Sequence, residues 1–410
     1  MKEDNVYKIA FLVSISCILQ IAESLIPHPI PGLRLGLANV ITLIALVTIG
    51  WKSAIEVTFF RTILSSLIMG TFLSPTFILS FSGGIVSALV IALLYRLSRL
   101  HRRYHLSIVG ISIIGAISHN VTQIYVAYFI LVKHPGIFVL FPWLCIGAVF
   151  TGWITGILAG KVCQRLKETQ KNEIINKTQT DFSNFMTKDY VSKNSFLHRL
   201  PAELKIAFIF VLSIAVLISN NFWLYLGLFL ALIIVTLISR ISVIFLFSKI
   251  RKYASLLLIS FLFPIFLNHG NNILFRLFYI NITVEGIKIG LIFAMRIILL
   301  VTSSSLLLRT TPSEDLTKGL TKILSPLLPF GVSNKRMASI FSLSWIAVPL
   351  FWEIARNNIH KINWKKAKNI RNLMPLLSDF IVTLYLDTES ISKSWEENYI
   401  LLAKRESELD

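Results

Sequence analysis

The chain reads as an all-α polytopic membrane protein, a six-helix bundle fused to a second helical domain with amphipathic helices at the cytoplasmic surface. Two observations predict this. Ten or so apolar runs follow one another, six before a polar connector at about residues 161–202 and at least four after it. Ser107–Leu131, Val139–Gly160 and Glu285–Leu308 each supply the roughly 20 residues that a helix needs to cross hydrocarbon with its backbone hydrogen bonds satisfied internally. The composition agrees, with 55% hydrophobic and 15% charged residues and a mean hydropathy of +0.71.

The first six runs predict spans at 8–26, 35–51, 54–71, 76–95, 107–131 and 139–160. The first has no small-residue cleavage signal and reads as a retained span. Lys2, Lys8, Lys52, Arg96, Arg99, Arg102 and Arg103 fall on one side, and Lys161, Arg165 and Lys167 return to it. The opposite side receives Arg34, an uncharged turn at Thr71–Pro75 and Lys133. The positive-inside rule therefore predicts a cytoplasmic N-terminus. The formal net charge of +19 comes mainly from basic residues between spans along the whole chain, which predicts lipid headgroups rather than nucleic acid as its counterpart.

Two domains follow, 1–165 and 195–410, separated by a polar cytoplasmic linker at 166–194. In the last, spans are predicted at 203–219, 222–239, 253–267 and 285–308. Thr311–Pro312–Ser313–Glu314 combines an N-cap, a first-turn proline and an acidic residue, opening an amphipathic helix to about Leu324 at the cytoplasmic surface. Met337–Trp352 is apolar but shorter than a comfortable span, and Leu373–Leu386 is shorter still.

Polar groups inside spans cost free energy unless a partner or an aqueous cavity compensates, so they are the candidate site. Arg61 lies mid-span, and its alternatives are an ion pair with Glu56 or Glu23 or a role in binding an anion. His119, Asn120, Thr122 and Gln123 lie halfway along the fifth span, with His119 and Gln123 on one face. They predict either a solute pocket or a hydrogen-bond network between helices. Pro27, Pro29, Pro31, Gly32 and Gly36 redirect the chain before Leu37 and Asn39, so Arg34 reads either as a gate at the outer mouth or as an interfacial arginine on a proline turn. Cys17, Cys145 and Cys163 form no metal motif, and no metal or cofactor is expected in this chain. There is no phosphate-loop signature, so ATP hydrolysis is expected from other proteins.

The run Pro31–Gly32–Leu33–Arg34–Leu35–Gly36–Leu37–Ala38–Asn39 resembles the family described both as heptaprenyl diphosphate synthase component I and as a substrate-binding transport subunit. That likeness covers about 5–165 and implies a substrate-binding component of an energy-coupling factor transporter, with Arg34, Asn39, Arg61, His119, Asn120 and Gln123 as substrate-binding candidates. Residues 193–400 resemble the transmembrane coupling component of those transporters, through Ser195–Pro201, Glu285–Gly286, Arg296, Ser303–Ser305 and Thr310–Glu314. This implies cytosolic ABC-type ATPases carrying ATP and magnesium as partners, with Glu314, Arg356 and Glu396 as coupling-helix candidates. The stretches at Trp352–Asn358 and Ser394–Tyr399 depart from the family's Ala-Arg-Gly signatures. The expected function is a fused membrane component of an importer for a small polar or anionic solute. The alternatives are an accessory subunit of polyprenyl diphosphate synthesis or a scaffold without ATPase coupling.

Overall fold

A computed structural model describes residues 6–25, 36–69, 71–100, 106–132, 135–169, 197, 200–219, 221–239, 241–252, 254–267, 272–277, 280–324, 334–361, 374–387 and 389–390. The linker predicted at 166–194 lies largely outside them, as do Arg34 and Glu396.

The N-terminal half is built from α1 (Val6–Leu25), α2 (Leu37–Thr48), α3 (Trp51–Met69), α4 (Pro75–Leu100), α5 (Ile108–Val126) and α6 (Phe141–Thr169). These follow the six predicted runs within a few residues. The fifth run ends differently: α5 passes into a π-helical turn at Ala127–Val132, and a 3-10 turn at Pro135–Leu140 leads into α6. Glycines set the closest approach in the bundle. A Cβ on Gly152 or Gly156 of α6 would lie 2.7 Å from the Cα of Ile113 or Val109 in α5. Small residues here let two backbones touch, which is how membrane helices gain dispersion contact without a hydrophobic driving force.

The second half contains α7 (Ala202–Ile218), α8 (Phe222–Ile238), α9 (Val243–Lys252), α10 (Ala254–Leu267), α11 (Val284–Thr310), α12 (Ser313–Leu324), α13 (Asn334–Lys361) and a helix α14 at 374–387. Arg296 of α11 is 1% exposed. It donates from Nε to the Tyr225 hydroxyl at 2.9 Å and from Nη2 to the Ser219 carbonyl at 2.7 Å, so a buried cation is satisfied at the α7–α8 turn. Lys205 Nζ donates to the Thr310 carbonyl at 2.9 Å, using a cation to close the C-terminal end of α11.

Two features, the hairpin and the length of α13, correct the sequence expectation. An antiparallel hairpin, β1 (Ile273–Leu277) and β2 (Ile280–Thr283), interrupts the helices between α10 and α11. The segment before α10 is also helical, as α9. The stretch expected to be too short at 337–352 is part of a 28-residue helix, α13; its polar end at Glu353, Arg356 and Asn357 is exposed and continues the helix instead of ending it. By length and apolarity alone, six stretches among the described residues are sufficient to cross a membrane, in α1, α4, α5, α6, α11 and α13, with α2 and α8 as shorter apolar helices. α3 is not among them, as its 19 residues include Lys52, Glu56 and Arg61. The amphipathic helix appears as α12, with Leu316 and Leu320 buried and Lys318 and Lys322 exposed.

One apolar core runs through both halves, joining Ile9–Leu19 of α1 to Met337–Ala355 of α13 and Phe380–Tyr385 of α14. Polar contacts fix the register. Ser344 Oγ donates to the Ala10 carbonyl at 3.0 Å and Ser14 Oγ to the Ser344 carbonyl at 3.1 Å, while the Phe11 and Phe351 rings lie 5.2 Å apart. Arg336 and Glu56 pair at 3.0 Å with side chains 15% and 13% exposed. Arg165 pairs with Asp379, and Lys8 with Glu389 at 3.8 Å.

The charge asymmetry of the short loops gives a direct expectation. A cysteine replacing Arg99 in a cysteine-free chain should react with an impermeant maleimide only after the membrane is permeabilised; labelling of intact cells would reverse the orientation.

Candidate functional site: a polar cavity in the N-terminal bundle

All six N-terminal helices contribute to one cavity of about 60 Å³. Its walls are Gln20 and Glu23 of α1, Gly36 just before α2 with Ala38 and Asn39 within it, Arg61 of α3, Ser80 of α4, Ala116, His119, Asn120 and Gln123 of α5, and Thr151 and Thr155 of α6. A buried water needs about 10–15 Å³, so the space suits a few waters or a small polar solute.

The α2 side is set by Gly36, whose backbone is left-handed with φ +78°. Glycine adopts that conformation without the strain an L side chain would suffer, and a Cβ there would come 3.3 Å from Asn39 Nδ2. The turn presents two amides to Glu23: its Oε1 accepts from Gly36 N at 2.7 Å and its Oε2 from Leu37 N at 3.2 Å. A carboxylate from α1 thus satisfies otherwise orphaned donors at the α2 N-terminus. Asn39 is held in turn by Arg61, whose Nη2 donates to Asn39 Oδ1 at 3.0 Å while its side chain is 4% exposed.

The opposite wall depends on a glycine. A Cβ on Gly83 of α4 would lie 3.0 Å from Gln123 Cγ and 3.1 Å from His119 Cε1 and Nδ1, so Gly83 makes room for both side chains. Gln123 Nε2 donates to the Leu79 carbonyl at 3.4 Å, and Asn120 Nδ2 to the Leu144 carbonyl at 2.9 Å. With their NH₂ groups so engaged, both amides keep a carbonyl oxygen as acceptor. Thr155 and Ser112 hydroxyls lie 2.8 Å apart and complete the α5–α6 seam.

The structure therefore gathers Asn39, Arg61, His119, Asn120 and Gln123 around one space. Thr122 is not in the wall; its hydroxyl donates to the Ser118 carbonyl. Glu56, considered as a partner of Arg61, is committed to Arg336 of α13, because the start of α3 faces the second half. Glu23, the other candidate, spends its oxygens on the α2 amides. Gln20, Ser80, Thr151 and Thr155 were not expected; Gln20 and Glu23 lie three residues apart, a helical spacing that puts two polar groups on one face of an apolar helix. The wall contains one carboxylate, Glu23, and one guanidinium, Arg61, so its formal charges balance apart from His119.

Of the coupling candidates, Glu314 lies in the first turn of α12 and Arg356 is exposed near the end of α13. Among the described residues, no three His, Cys, Asp or Glu side chains gather as a metal site.

Comparison with known proteins separates the two halves. Residues 12–162 match the family model described as heptaprenyl diphosphate synthase component I, and residues 193–384 match the model described as cobalt transport protein. Similar proteins include three described as energy-coupling factor transporter transmembrane protein EcfT. That of Brevibacillus brevis is 26% identical over 221 residues, covering 52% of this chain and 83% of the relative. That of Macrococcus caseolyticus is 24% identical over 216 residues, covering 50% and 81%. The Bacillus subtilis protein is likewise 24% identical over 216 residues, covering 50% and 81%. The chain is a multi-pass helical membrane protein whose similar proteins are membrane components of energy-coupling transporters.

Proposed function

We propose that this chain is a single-polypeptide membrane component of an energy-coupling-factor-like importer, with a solute-binding N-terminal half and a C-terminal half that engages cytosolic ABC-type ATPases. The observation that supports it most is a shared pair of helices. α1 holds Gln20 and Glu23 at the cavity and Ala10 and Ser14 against α13; α3 holds Arg61 at the cavity and Glu56 against Arg336 of α13. Rigid helices that touch both places are the kind of packed element that transmits a shift from one to the other.

In this reading the solute enters from outside, and donors from Arg61 and His119 and acceptors from Asn120 and Gln123 replace its water. ATP and magnesium belong to the partner ATPases, which dock on the exposed end of α13 near Arg356 and on α12 near Glu314. The membrane is the bacterial cytoplasmic membrane with the N-terminus inside. A 60 Å³ polar cavity favours a small polar solute over a heptaprenyl chain.

Two tests follow. Affinity purification of the tagged full chain from its own host should recover ATP-hydrolysing subunits whose activity rises when the transported solute is added; recovery of the chain with a soluble prenyl synthase and no ATPase would contradict the reading. His119→Ala and Gln123→Ala should each weaken solute binding by about threefold to tenfold, the worth of one net hydrogen bond, with the chain still monodisperse. Unchanged affinity in both variants would remove them from the site.

A further inference from the structure

A second site lies outside the cavity, at the loop end of α3 and α4. We infer that this edge of the protein binds an anionic phospholipid, with its phosphate between Lys52, Arg96 and Arg99 and an acyl chain along α4. The inference rests on the chain's membrane location and not on the transport reading.

The charges come first. Lys52 Nζ lies 5.5 Å and Arg96 Cζ 5.8 Å from the centre of the Trp51 ring, so one exposed indole is flanked by cations from two helices. Arg99 Cζ lies 5.1 Å from the Tyr95 ring. Among the described residues no acidic side chain pairs with Lys52, Arg96 or Arg99. Glu56, one turn along from Lys52, is committed to Arg336.

Arg99 sits suitably at the α4 C-terminus, where the helix dipole favours a cation. Lys52 does not: it occupies the first turn of α3, the positive end of that dipole, and the acidic side chain whose field it feels, Glu56, is shared with Arg336. Arg96 adds to the same positive field. An external anion at this point offsets the repulsion and meets the helix N-terminus as well.

The apolar part comes from α4. Leu97, Leu93, Leu89 and Val86 are 49%, 58%, 49% and 37% exposed and recur at helical spacing, forming a stripe that starts beside Arg96 and runs away from it along the helix. Trp51 is 38% exposed beside the cations, the position an interfacial tryptophan takes at headgroup level. A ligand with a phosphate at one end and a hydrocarbon chain at the other matches both features, whereas free phosphate matches only the first.

Native mass spectrometry of the full chain in detergent, titrated with phosphatidylglycerol and separately with phosphatidylcholine, tests this. The wild type should bind its first phosphatidylglycerol at least about tenfold more tightly than its first phosphatidylcholine. Lys52→Gln with Arg96→Gln should lower phosphatidylglycerol affinity by about 30-fold, as two headgroup-level cations are removed, and leave phosphatidylcholine unchanged. Arg96→Lys alone should keep the preference, and so should Lys161→Gln on α6. The site is overturned if the wild type does not distinguish the lipids, if the preference survives the double substitution, or if millimolar inorganic phosphate displaces the phosphatidylglycerol, which would assign the cluster to a free anion.

Discussion

Glu56→Lys is expected to destabilise the whole chain, because it sets an ammonium against the Arg336 guanidinium in the seam between the halves. The native pair spans 3.0 Å with both side chains largely withdrawn from water. Removing one member of a buried pair costs about 3–5 kcal/mol, since the surviving charge is left without compensation, and a like charge adds repulsion. The apolar contacts of α1 with α13 remain, so the loss should appear as a lower apparent melting midpoint of the purified chain and not as failure to insert. The swap Glu56→Lys with Arg336→Glu restores the attraction in reverse and should recover most of the loss. If Glu56→Lys melts with the wild type, the pair contributes nothing to docking.

Gly156→Val is the second large effect. The Cβ alone would sit 2.7 Å from Val109 Cα and 3.0 Å from Ser112 Cβ, and valine adds two methyl groups that α5 cannot accommodate without moving away. Overpacking of this kind costs about 1–3 kcal/mol in a well-packed core. Here the displaced helices are those that bring His119, Asn120, Gln123, Thr151 and Thr155 to the cavity, so stability and solute affinity should fall together. Gly160→Val is the control, since nothing lies within 4 Å of a Cβ at that position. Equal behaviour of the two variants would show that α5 and α6 do not depend on close contact.

The contrast between those glycines marks what the sequence could reveal. Gly152, Gly156 and Gly160 share one spacing, and spacing shows that a helix face is small without showing what approaches it. His119, Asn120 and Gln123 stood out because polar groups in an apolar run require compensation, and Asn39 through the motif that contains Gly36. Glu23 was noticed as a charge, but its true partners are backbone amides of the α2 turn, groups that carry no signal in a sequence. The length of α13 was hidden for a different reason. Glu353, Arg356 and Asn357 look like the end of an apolar run, yet a helix with one wet face continues through them. The hairpin at Ile273–Thr283 was likewise masked by the apolar runs on either side. Packing of α1 on α13 joins residues more than 300 positions apart, beyond the reach of any periodicity.

The polar cavity of the N-terminal half is expected to hold a small solute. Gly83→Ile tests it without removing a polar group, because the β-branched side chain must push His119 and Gln123 into the space between them and Arg61. Wild-type chain and the variant, both monodisperse and inserted in nanodiscs, are dialysed against the same small-molecule extract of the host cell, and the retained compounds are measured by mass spectrometry. One or more small polar compounds should be retained by the wild type at about one per chain and reduced at least about 100-fold in Gly83→Ile; retention of the same compounds at the same level by both proteins would mean that the cavity does not hold them.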